Sequence, residues 1–562
     1  MSYLSQLHEV LMGISYLLIN AWNSAQVELK GEYSPARVLA LNEYTNSTPW
    51  WRIIFFIVFT PLPSLIYICL PETVNLDPPY LGMAYNKTFF GRFFLSYTMW
   101  CLLQMHMISE RMPLLSLSKT HLVASAVTVA ALSTGFELMY AKWIGFPVPY
   151  TIHMMAVPYV SLMFFAFAII WYPHVRKNWG LLWKIADAVL ICVCHGLVIV
   201  GYPLFYFFFQ KMDGVESTAF SLVLPVLKTL YRVMFYYFCR SASGERITIV
   251  VVFNADLVNA LFVNFCMQYQ PSFTTTITLM FANAVQVVLI VRDIDSIRKK
   301  IALTARKIVD VRKNGKYSSK LPGERVATIE MLPRAADIFQ RYTFDTVKAG
   351  PKRFTSDVNK HLQHCKKIMP EEFQAGPRAS AMIQPIEPIS EIEVLAPPSS
   401  TGPRTKSMDV TLSELEQLER KYASLVRKLM YASEFSILTA FAEVITPIVY
   451  SLYLFIVFHM LNRNYYSQIA TMDSTHLAKT VLNVLLYSLV ELTSFTVLTQ
   501  TLKRRLDFST LYQLAFVLDK YMIHVQTAII LWVFYTTQIS LEHYGTDYTF
   551  KFAWLQSNST TA

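Results

Sequence analysis

Polar residues interrupt an otherwise apolar stretch, FNADLVNALFVNFCMQ, at residues 253–268. They include one carboxylate, Asp256, and the asparagines Asn254, Asn259 and Asn264. The stretch predicts a membrane helix, and a carboxylate at mid-membrane depth costs roughly 2.5–3.5 kcal/mol on insertion scales. Asp256 therefore needs a partner inside a helical bundle or contact with water, and it is the first candidate for a functional residue.

Two cations of the preceding apolar stretch can lie beside Asp256. When the chain folds back at the turn RSASGER, near residue 243, Arg232 and Lys228 come within about one helical turn of its depth. The two cations are four residues apart and therefore share one helix face. We predict that one of them pairs with Asp256 at a distance within about 4 Å, the limit for an ion pair.

The following apolar stretch adds amides at the same depth. Folding at QYQPS brings Asn283 level with Asp256 and Gln286 close to it. Such a cluster can fix helix register or can mark a hydrated pathway, and the sequence leaves both open. Further ionisable residues within predicted spans are Asp187, His195, Glu443, Glu491 and His524. The predicted intramembrane polar cluster comprises Lys228, Arg232, Asp256, Asn259, Asn283 and Gln286.

No sequence motif supports an enzyme. DID at 293–295 resembles a metal-binding DxD but has no nucleotide-binding fold around it, and HLQHC at 361–365 lacks the second half of a zinc site. The seven cysteines form no CxxC pair, and the chain has no P-loop, HExxH or GxSxG. We therefore predict neither catalysis nor a metal nor a cofactor.

The elements that must position the cluster are apolar runs of membrane-crossing length. Of the 562 residues, 54% are hydrophobic and 15% are charged, and the apolar residues gather in runs of about 20. The predicted fold class is all-α, a polytopic transmembrane helical bundle of about 11 spans with one large, partly disordered cytosolic loop. The predicted spans are 51–71, 93–110, 121–140, 150–172, 185–209, 219–239, 247–268, 272–292, 435–459, 477–500 and 513–538.

Alternate loops differ in their content of Lys and Arg, which favour the cytoplasmic side of a membrane. Loops 173–184 and 501–510 and the segment 293–430 belong to the richer set. This pattern predicts an integral membrane protein with a cytosolic N-terminus and an extracytosolic C-terminus. The sequons at Asn86 and Asn558 fall on the extracytosolic side and are candidate glycosylation sites.

The segment 293–430 carries 25 Lys and Arg against 17 Asp and Glu, a net charge of +8. Its part 298–320 combines nine cations with apolar residues near one helical face, which fits an anionic lipid surface and an ordinary solvated flank equally well. Residues 370–407 are rich in proline and predict disorder, and TLSE at 411–414 is a capping box that begins a helix toward the ninth span. The candidate lipid-binding residues are Arg298, Lys299, Lys300, Arg306 and Lys307.

These patterns divide the chain into five segments. The predicted partners are the lipid bilayer and, at 298–320, anionic lipids; nucleic acid is not expected beside a membrane-tethered segment. The segments are 1–50, a cytosolic N-terminal segment with an interfacial amphipathic helix; 51–292, a bundle of eight spans; 293–430, the basic loop; 431–540, a bundle of three spans; and 541–562, a short extracytosolic tail.

Three C-terminal stretches, HLAKTVLNVLLYSLVELTSF, LYQLAFVLDKYMIHVQ and LEHYGTDYTFKFAWL, resemble a large family of multi-pass membrane proteins from oomycetes. FNADLVNALFVNFCMQ is similar to the central segment of the same family. The resemblance is clearest over 430–555 and 250–290. Because that family has no assigned activity or site, the resemblance implies an oomycete membrane protein and transfers no chemistry.

Two functions remain open from the sequence. The first is transport of a solute or ion through the polar cluster in spans six to eight, which requires a solvent-connected cavity that reaches Asp256. The second is a membrane scaffold or sensor whose basic cytosolic loop binds anionic lipid or a protein partner. In that case Arg232 or Lys228 seals Asp256 from solvent.

Overall fold

Backbone amides and carbonyls find no water inside a bilayer, so an apolar chain of this kind satisfies them within helices. The computed structural model agrees, because its described residues form an all-α bundle. The predicted helix within residues 1–22 lies outside the described residues, as do 370–405 of the segment predicted to be disordered. The structure describes residues 25–111, 117–269, 273–314, 331–348, 406–506, 508–547 and 552.

The helices of these ranges are numbered in chain order. The central span is interrupted by one π-helical turn, Val252–Asp256, between α10 and α11. The helices are α1 Pro35–Ser47, α2 Trp50–Phe59, α3 Leu62–Cys69, α4 Lys87–Arg111, α5 Lys119–Trp143, α6 Thr151–Lys177, α7 Leu181–Phe209, α8 Gly214–Ser221, α9 Val223–Ser243, α10 Ile247–Val251, α11 Leu257–Tyr269, α12 Phe273–Asn314, α13 Met331–Lys348, α14 Lys406–Phe458, α15 Ser474–Leu506, α16 Thr510–Lys520 and α17 Met522–Gln538.

Nine stretches of the described chain are long and apolar enough to cross a membrane, and α16 with α17 makes a tenth when the pair is counted as one span. These stretches match ten of the about eleven predicted spans, and the remaining one, 93–110, falls on α4. This helix covers the predicted span 93–110 but is less apolar, because it carries Gln104 and His106. The predicted span 513–538 is also not one straight helix, since α16 and α17 meet at Tyr521 with a bend of 83°.

Helix α4 nevertheless extends along the bundle beside α17. Near one end of the two helices, Arg92 Nη2 donates a hydrogen bond to Gln538 Oε1 at 2.8 Å. Near the other end, His524 Nδ1 lies 3.5 Å from Glu110 Oε2. The two helices are therefore antiparallel neighbours from Arg92 to Glu110.

The ends of several helices meet at one face of the bundle, which we call the Glu72 face. Arg92, at the start of α4, donates to the Glu72 carboxylate and to Gln538 at the end of α17. Tyr466, which follows α14, donates to Glu72 Oε1 at 2.5 Å, and Asn462 Nδ2 donates to the Glu72 carbonyl at 3.1 Å. These buried contacts fix the relative positions of four chain segments.

Other helix ends meet at the opposite face, which we call the Glu434 face. Arg37 Nη2 lies 2.6 Å from Glu434 Oε2, and the Thr248 hydroxyl donates to the same carboxylate. Gln513 Nε2 donates at 2.7 Å to the hydroxyl of Tyr33, which itself donates to Glu434. Glu434 lies 24 residues before the end of α14, about 36 Å along the helix at 1.5 Å per residue. The two faces therefore lie on opposite sides of the bundle.

The most deeply buried part of the bundle contains the π turn. Every residue from 247 to 268 is buried, whereas only 22% of the most apolar part of Trp50–Thr73 is buried. Helix α14 packs against this central span and is itself 72% buried along its apolar part. The central span can therefore carry four polar side chains, because protein rather than lipid surrounds it.

Helices α12 and α14 continue past the Glu434 face and pack against each other there. The apolar side chains Ile294, Ile301 and Ile308 are buried on α12. We call residues 293–314 and 406–433 the paired extension. The predicted capping box does not begin a helix, because α14 starts five residues earlier and runs unbroken into the ninth span.

Candidate functional site

The carboxylate of Asp256 lies at the end of the π turn, a feature that is frequent at functional sites. Arg232 Nε, on α9, donates to Asp256 Oδ1 at 2.6 Å, and Thr439 Oγ1, on α14, donates to Oδ2 at 3.2 Å. The side chains of Arg232 and Asp256 are 4% and 0% exposed. The ion pair predicted from the sequence is thus present, its cation is Arg232, and it is closed off from solvent.

Lys228, one turn before Arg232 on α9, forms a second ion pair. Its Nζ lies 3.2 Å from Glu443 Oε1 on α14 and 3.4 Å from Asn283 Oδ1 on α12. The Asn283 amide donates in turn to Glu491 Oε1 at 3.2 Å, on α15. Four helices are therefore connected through one chain of buried polar groups.

The amide side chain of the π turn has its own partners. Asn254 Oδ1 accepts a hydrogen bond from Trp532 Nε1 at 2.9 Å and lies 2.9 Å from His195 Nε2. Asn254 Nδ2 donates to the Val250 carbonyl at 2.8 Å. This amide therefore joins the central span to α7 and α17, which is a structural role.

Formal charges do not balance within this group of buried residues. Two cations, Lys228 and Arg232, face at least three carboxylates, Asp256, Glu443 and Glu491, and the buried Glu28 also interacts electrostatically with Arg232. Glu491 has no cation within ion-pair distance among the residues that the structure describes, and its carboxylate accepts from Asn283 instead. A net negative charge inside an apolar bundle is costly, so this group favours the uptake of one proton or cation.

The space beside the ion pairs is small. The cavity that borders them has a volume of about 10 Å³, which is room for about one water molecule. Glu443, Thr439, Asn283 and Gln286 contribute to its wall. The observed geometry is that of a hydrogen-bonded network with a small gap beside Glu443.

The six residues of the predicted cluster fall into three groups. Lys228, Arg232, Asp256 and Asn283 belong to the network, and Gln286 lines its cavity. Asn259 does not join the ion pairs; its Oδ1 accepts from the Tyr202 hydroxyl at 3.4 Å.

Three members of the network could not be predicted by aligning the depths of spans that follow each other in the chain. Glu443 and Glu491 are visible in the sequence as ionisable residues within spans, but no short turn relates them to Lys228. Thr439 gives no signal at all, because a hydroxyl in an apolar helix usually bonds its own backbone.

The basic residues at the start of the paired extension surround Asp295. Its carboxylate lies 3.1 Å from Arg298 Nε, 3.3 Å from Lys299 Nζ and 3.3 Å from Arg505 Nη1 at the end of α15. The other candidate lipid-binding cations, Lys300, Arg306 and Lys307, are exposed. The apolar stripe of this helix, which the sequence places against lipid or solvent, packs inside the paired extension.

The structure argues against glycosylation at the candidate site Asn86. Its side chain is buried, and Nδ2 donates to the carbonyls of Pro78 and Gly82 at 3.1 and 3.0 Å. The Asn86 Oδ1 atom lies 3.1 Å from His543 Nε2. A side-chain amide that is enclosed and bonded in this way has no room for a glycan. The other candidate, Asn558, lies outside the described residues.

The chain matches no family model, no curated protein and no solved structure. Its resemblance to multi-pass membrane proteins of oomycetes stays a prediction.

Proposed function

We propose that this multi-pass membrane protein is a scaffold or sensor in which the paired extension and the ion-pair network are mechanically connected. The observation that carries the proposal is the continuity of α14 from Lys406 to Phe458. One part of this helix packs in the paired extension, and the next part supplies Thr439 and Glu443 to the network. Because helices bend sharply only at identifiable defects and the one proline of α14, Pro447, lies beyond Glu443, a displacement in the paired extension is transmitted as far as the network.

The closure of the network supports this function over a permanently open pathway. Arg232 and Thr439 occupy both carboxylate oxygens of Asp256, and the adjoining cavity holds about one water molecule. A buried ion pair of this kind gives register and a defined alternative state when it is broken. The network is thus suited to hold two arrangements of α9 against the central helices.

We further propose that the Glu434 face is cytosolic and that the C-terminus is extracytosolic. The cations Arg298, Lys299 and Arg505 cluster at the Glu434 face, and basic residues next to spans favour the cytoplasm. The contacts of Glu72 with Gln538 support a C-terminus on the other side.

The candidate lipid-binding residues divide by their distance from the membrane. Arg306 is eight residues after Arg298, which is about 12 Å farther along α12. This distance exceeds the Debye length of about 8 Å at physiological salt. We therefore assign anionic lipid headgroups to residues 298–300 and an acidic protein partner to Arg306 and Lys307.

The proposal is tested by measuring whether the network controls the paired extension. Spin labels at Arg306 and Lys421, both exposed, report the distance between α12 and α14 by double electron–electron resonance. Glu443→Gln removes the partner of Lys228 and is expected to shift or broaden this distance distribution. The control is Glu137→Gln, because Glu137 is equally buried and lies outside the network, beside Thr151. Identical distributions in both variants and the wild type contradict the proposal.

A second candidate function, proton transport, is favoured by one observation, the third carboxylate at Glu491. Reconstituted protein is then expected to carry protons across a vesicle membrane, and Glu491→Gln is expected to abolish that flux without changing the distance distribution. A wild-type protein that carries no protons in either direction of an imposed pH gradient rejects this candidate.

A further inference from the structure

A long groove opens on the side of the bundle formed by α2, α3, α4 and α17. Its volume is about 1270 Å³, above the range of about 300–1,000 Å³ that is typical of sites for drug-sized ligands. Along the first span, the groove is lined by residues from Phe55 to Val74. The 19 steps between these two residues correspond to about 28 Å at the rise of an α-helix, close to the hydrocarbon thickness of about 30 Å.

The groove exists because the first span is divided and packs away from α4. Pro61 and Pro63 separate α2 from α3, since proline removes a helical hydrogen bond. Gln526 Nε2, on α17, donates at 2.8 Å to the Thr60 carbonyl at this break. Helices α2 and α3 pack on α16 and α17, and the Tyr67 hydroxyl reaches α4 by donating to the carbonyl of Ser96 at 2.7 Å.

The wall of the groove is hydrocarbon and aromatic along nearly its whole length. Phe59, Ile66, Leu95 and Met99 line it and are each about half exposed. Its one charged lining residue in the described chain, Arg92, is bound by Glu72. The groove therefore offers no free charge to a polar headgroup, and its surface fits mainly apolar groups.

We propose that this groove binds the acyl chains of a membrane glycerolipid. The stretch Trp50–Thr73 is the most apolar candidate span of the described chain, and most of its surface is not covered by the protein that the structure describes. Its surroundings are therefore the bilayer itself, which contains acyl chains at every depth that the groove covers. A flexible two-chain lipid can fill a volume of this length and size, with its headgroup outside the groove at the Glu72 face.

The groove can be filled selectively at Gly91. A Cβ atom at this helical glycine meets nothing within 4 Å, and the residue lines the groove. Gly91→Trp therefore places an indole ring in the groove without a backbone clash. The matched control is Gly135→Trp, because Gly135 is also helical and equally open but does not line the groove.

The bound lipid is measured by mass spectrometry of lipids extracted from the full-length protein after prolonged washing in detergent. The wild type and Gly135→Trp are expected to retain glycerolipid, and Gly91→Trp is expected to lose it. Equal retention in all three proteins overturns the proposal. Recovery of a sterol instead of a glycerolipid overturns the assignment of the occupant.

A second measurement tests lipid binding in the groove without a substitution, in case Gly91→Trp fails to fold. Wild-type protein in vesicles is exposed to a phospholipid with a photoreactive acyl chain. Labelling is expected to concentrate in peptides from 55–74, 87–103 and 522–530. Helix α15, which is only 28% buried, gives the background for an ordinary lipid-facing surface. Labelling of the groove at no more than this background level refutes a bound lipid.

Discussion

The two buried ion pairs predict a specific pattern of rescue among charge-removing substitutions. Asp256→Asn leaves Arg232 enclosed and without a counter-ion, and Glu443→Gln does the same to Lys228. Removing one partner of a buried pair costs about 3–5 kcal/mol, whereas removing both is far less destabilising. Arg232→Gln should therefore rescue Asp256→Asn, and Lys228→Gln should rescue Glu443→Gln.

The magnitude follows from the burial of each pair. All four side chains are at most 7% exposed, and the N–O distances are 2.6 Å for Arg232 with Asp256 and 3.2 Å for Lys228 with Glu443. Solvent therefore screens neither pair, so the full cost for a buried ion applies. A mismatched double substitution leaves two unpaired ions and is expected to cost about 6–10 kcal/mol if the effects add. That loss is comparable to the whole stability of an ordinary protein.

The assay compares matched and mismatched double variants. Each variant is expressed at full length, solubilised in detergent and heated, and the folded fraction is read by size-exclusion chromatography. Asp256→Asn with Arg232→Gln is expected to stay folded at temperatures where Asp256→Asn alone is lost. Asp256→Asn with Lys228→Gln is expected to be the least stable of the set, although it also removes one charge of each sign.

Two outcomes refute the reasoning. If Lys228→Gln rescues Asp256→Asn as well as Arg232→Gln does, only net charge matters and the pairing is not specific. If neither cation rescues it, Asp256 is solvated or paired elsewhere, and a hydrated pathway becomes the better description of the site.

Three further predictions follow from other parts of the molecule. Replacing the cations of 298–300 by Gln is expected to reduce stabilisation of the protein by short-chain anionic lipids by at most about 3 kcal/mol, and the same change at 306–307 should leave it unaltered; equal effects contradict the division. Burial lowers the pKa of His543 to about 4 from 6.5. Because the unfolded chain binds the extra proton, thermal stability should fall as the pH drops through this window, and His543→Gln should flatten the curve; an unchanged curve argues against it. Cysteines introduced at Lys503 and Asp547 should react with an impermeant thiol reagent from opposite sides of the membrane, and labelling from one side excludes the proposed orientation.

The pairing of Asp256 with Arg232 could be predicted because it is a local consequence of chain folding. Two spans joined by a short turn must lie antiparallel, so counting from the turn near residue 243 gives the depth of each residue. The same count also places Lys228 near the depth of Asp256, so it cannot distinguish which of the two cations is the partner. The choice depends on Glu443, which attracts Lys228 to another helix.

The rest of the network could not be predicted for the opposite reason. Lys228 and Glu443 are separated by 215 residues, and Asn283 and Glu491 by 208. No turn relates the depth of such residues, so their proximity depends on which helices are neighbours. Hydropathy does not supply that information, because lipid and protein interior are both apolar.

The spans themselves illustrate this limit of hydropathy. The span Gly244–Gln268, which is buried throughout 247–268, and the partly exposed span Thr151–Lys177 are nearly equally apolar. The sequence indicates the central position of Gly244–Gln268 only through the amide and carboxylate side chains of this span. Hydropathy is equally uninformative about α4, which carries Gln104 and His106 and is less apolar than the other predicted spans although it lies along α17.

The arrangement of the two pairs on α9 bears on how the proposed sensor would switch. Lys228 and Arg232 lie one turn apart on a single helix face, yet they bind different central helices: Glu443 belongs to α14, and Asp256 ends the π turn before α11. A rotation or shift of α9 by a few ångströms therefore breaks both pairs together, whereas a movement of α14 alone breaks the first and keeps the second. Buried pairs have no stable half-open state, because a lone buried ion is costly. The structure thus couples α9 to both central helices through contacts that are either made or broken, which is the property required of a two-state element.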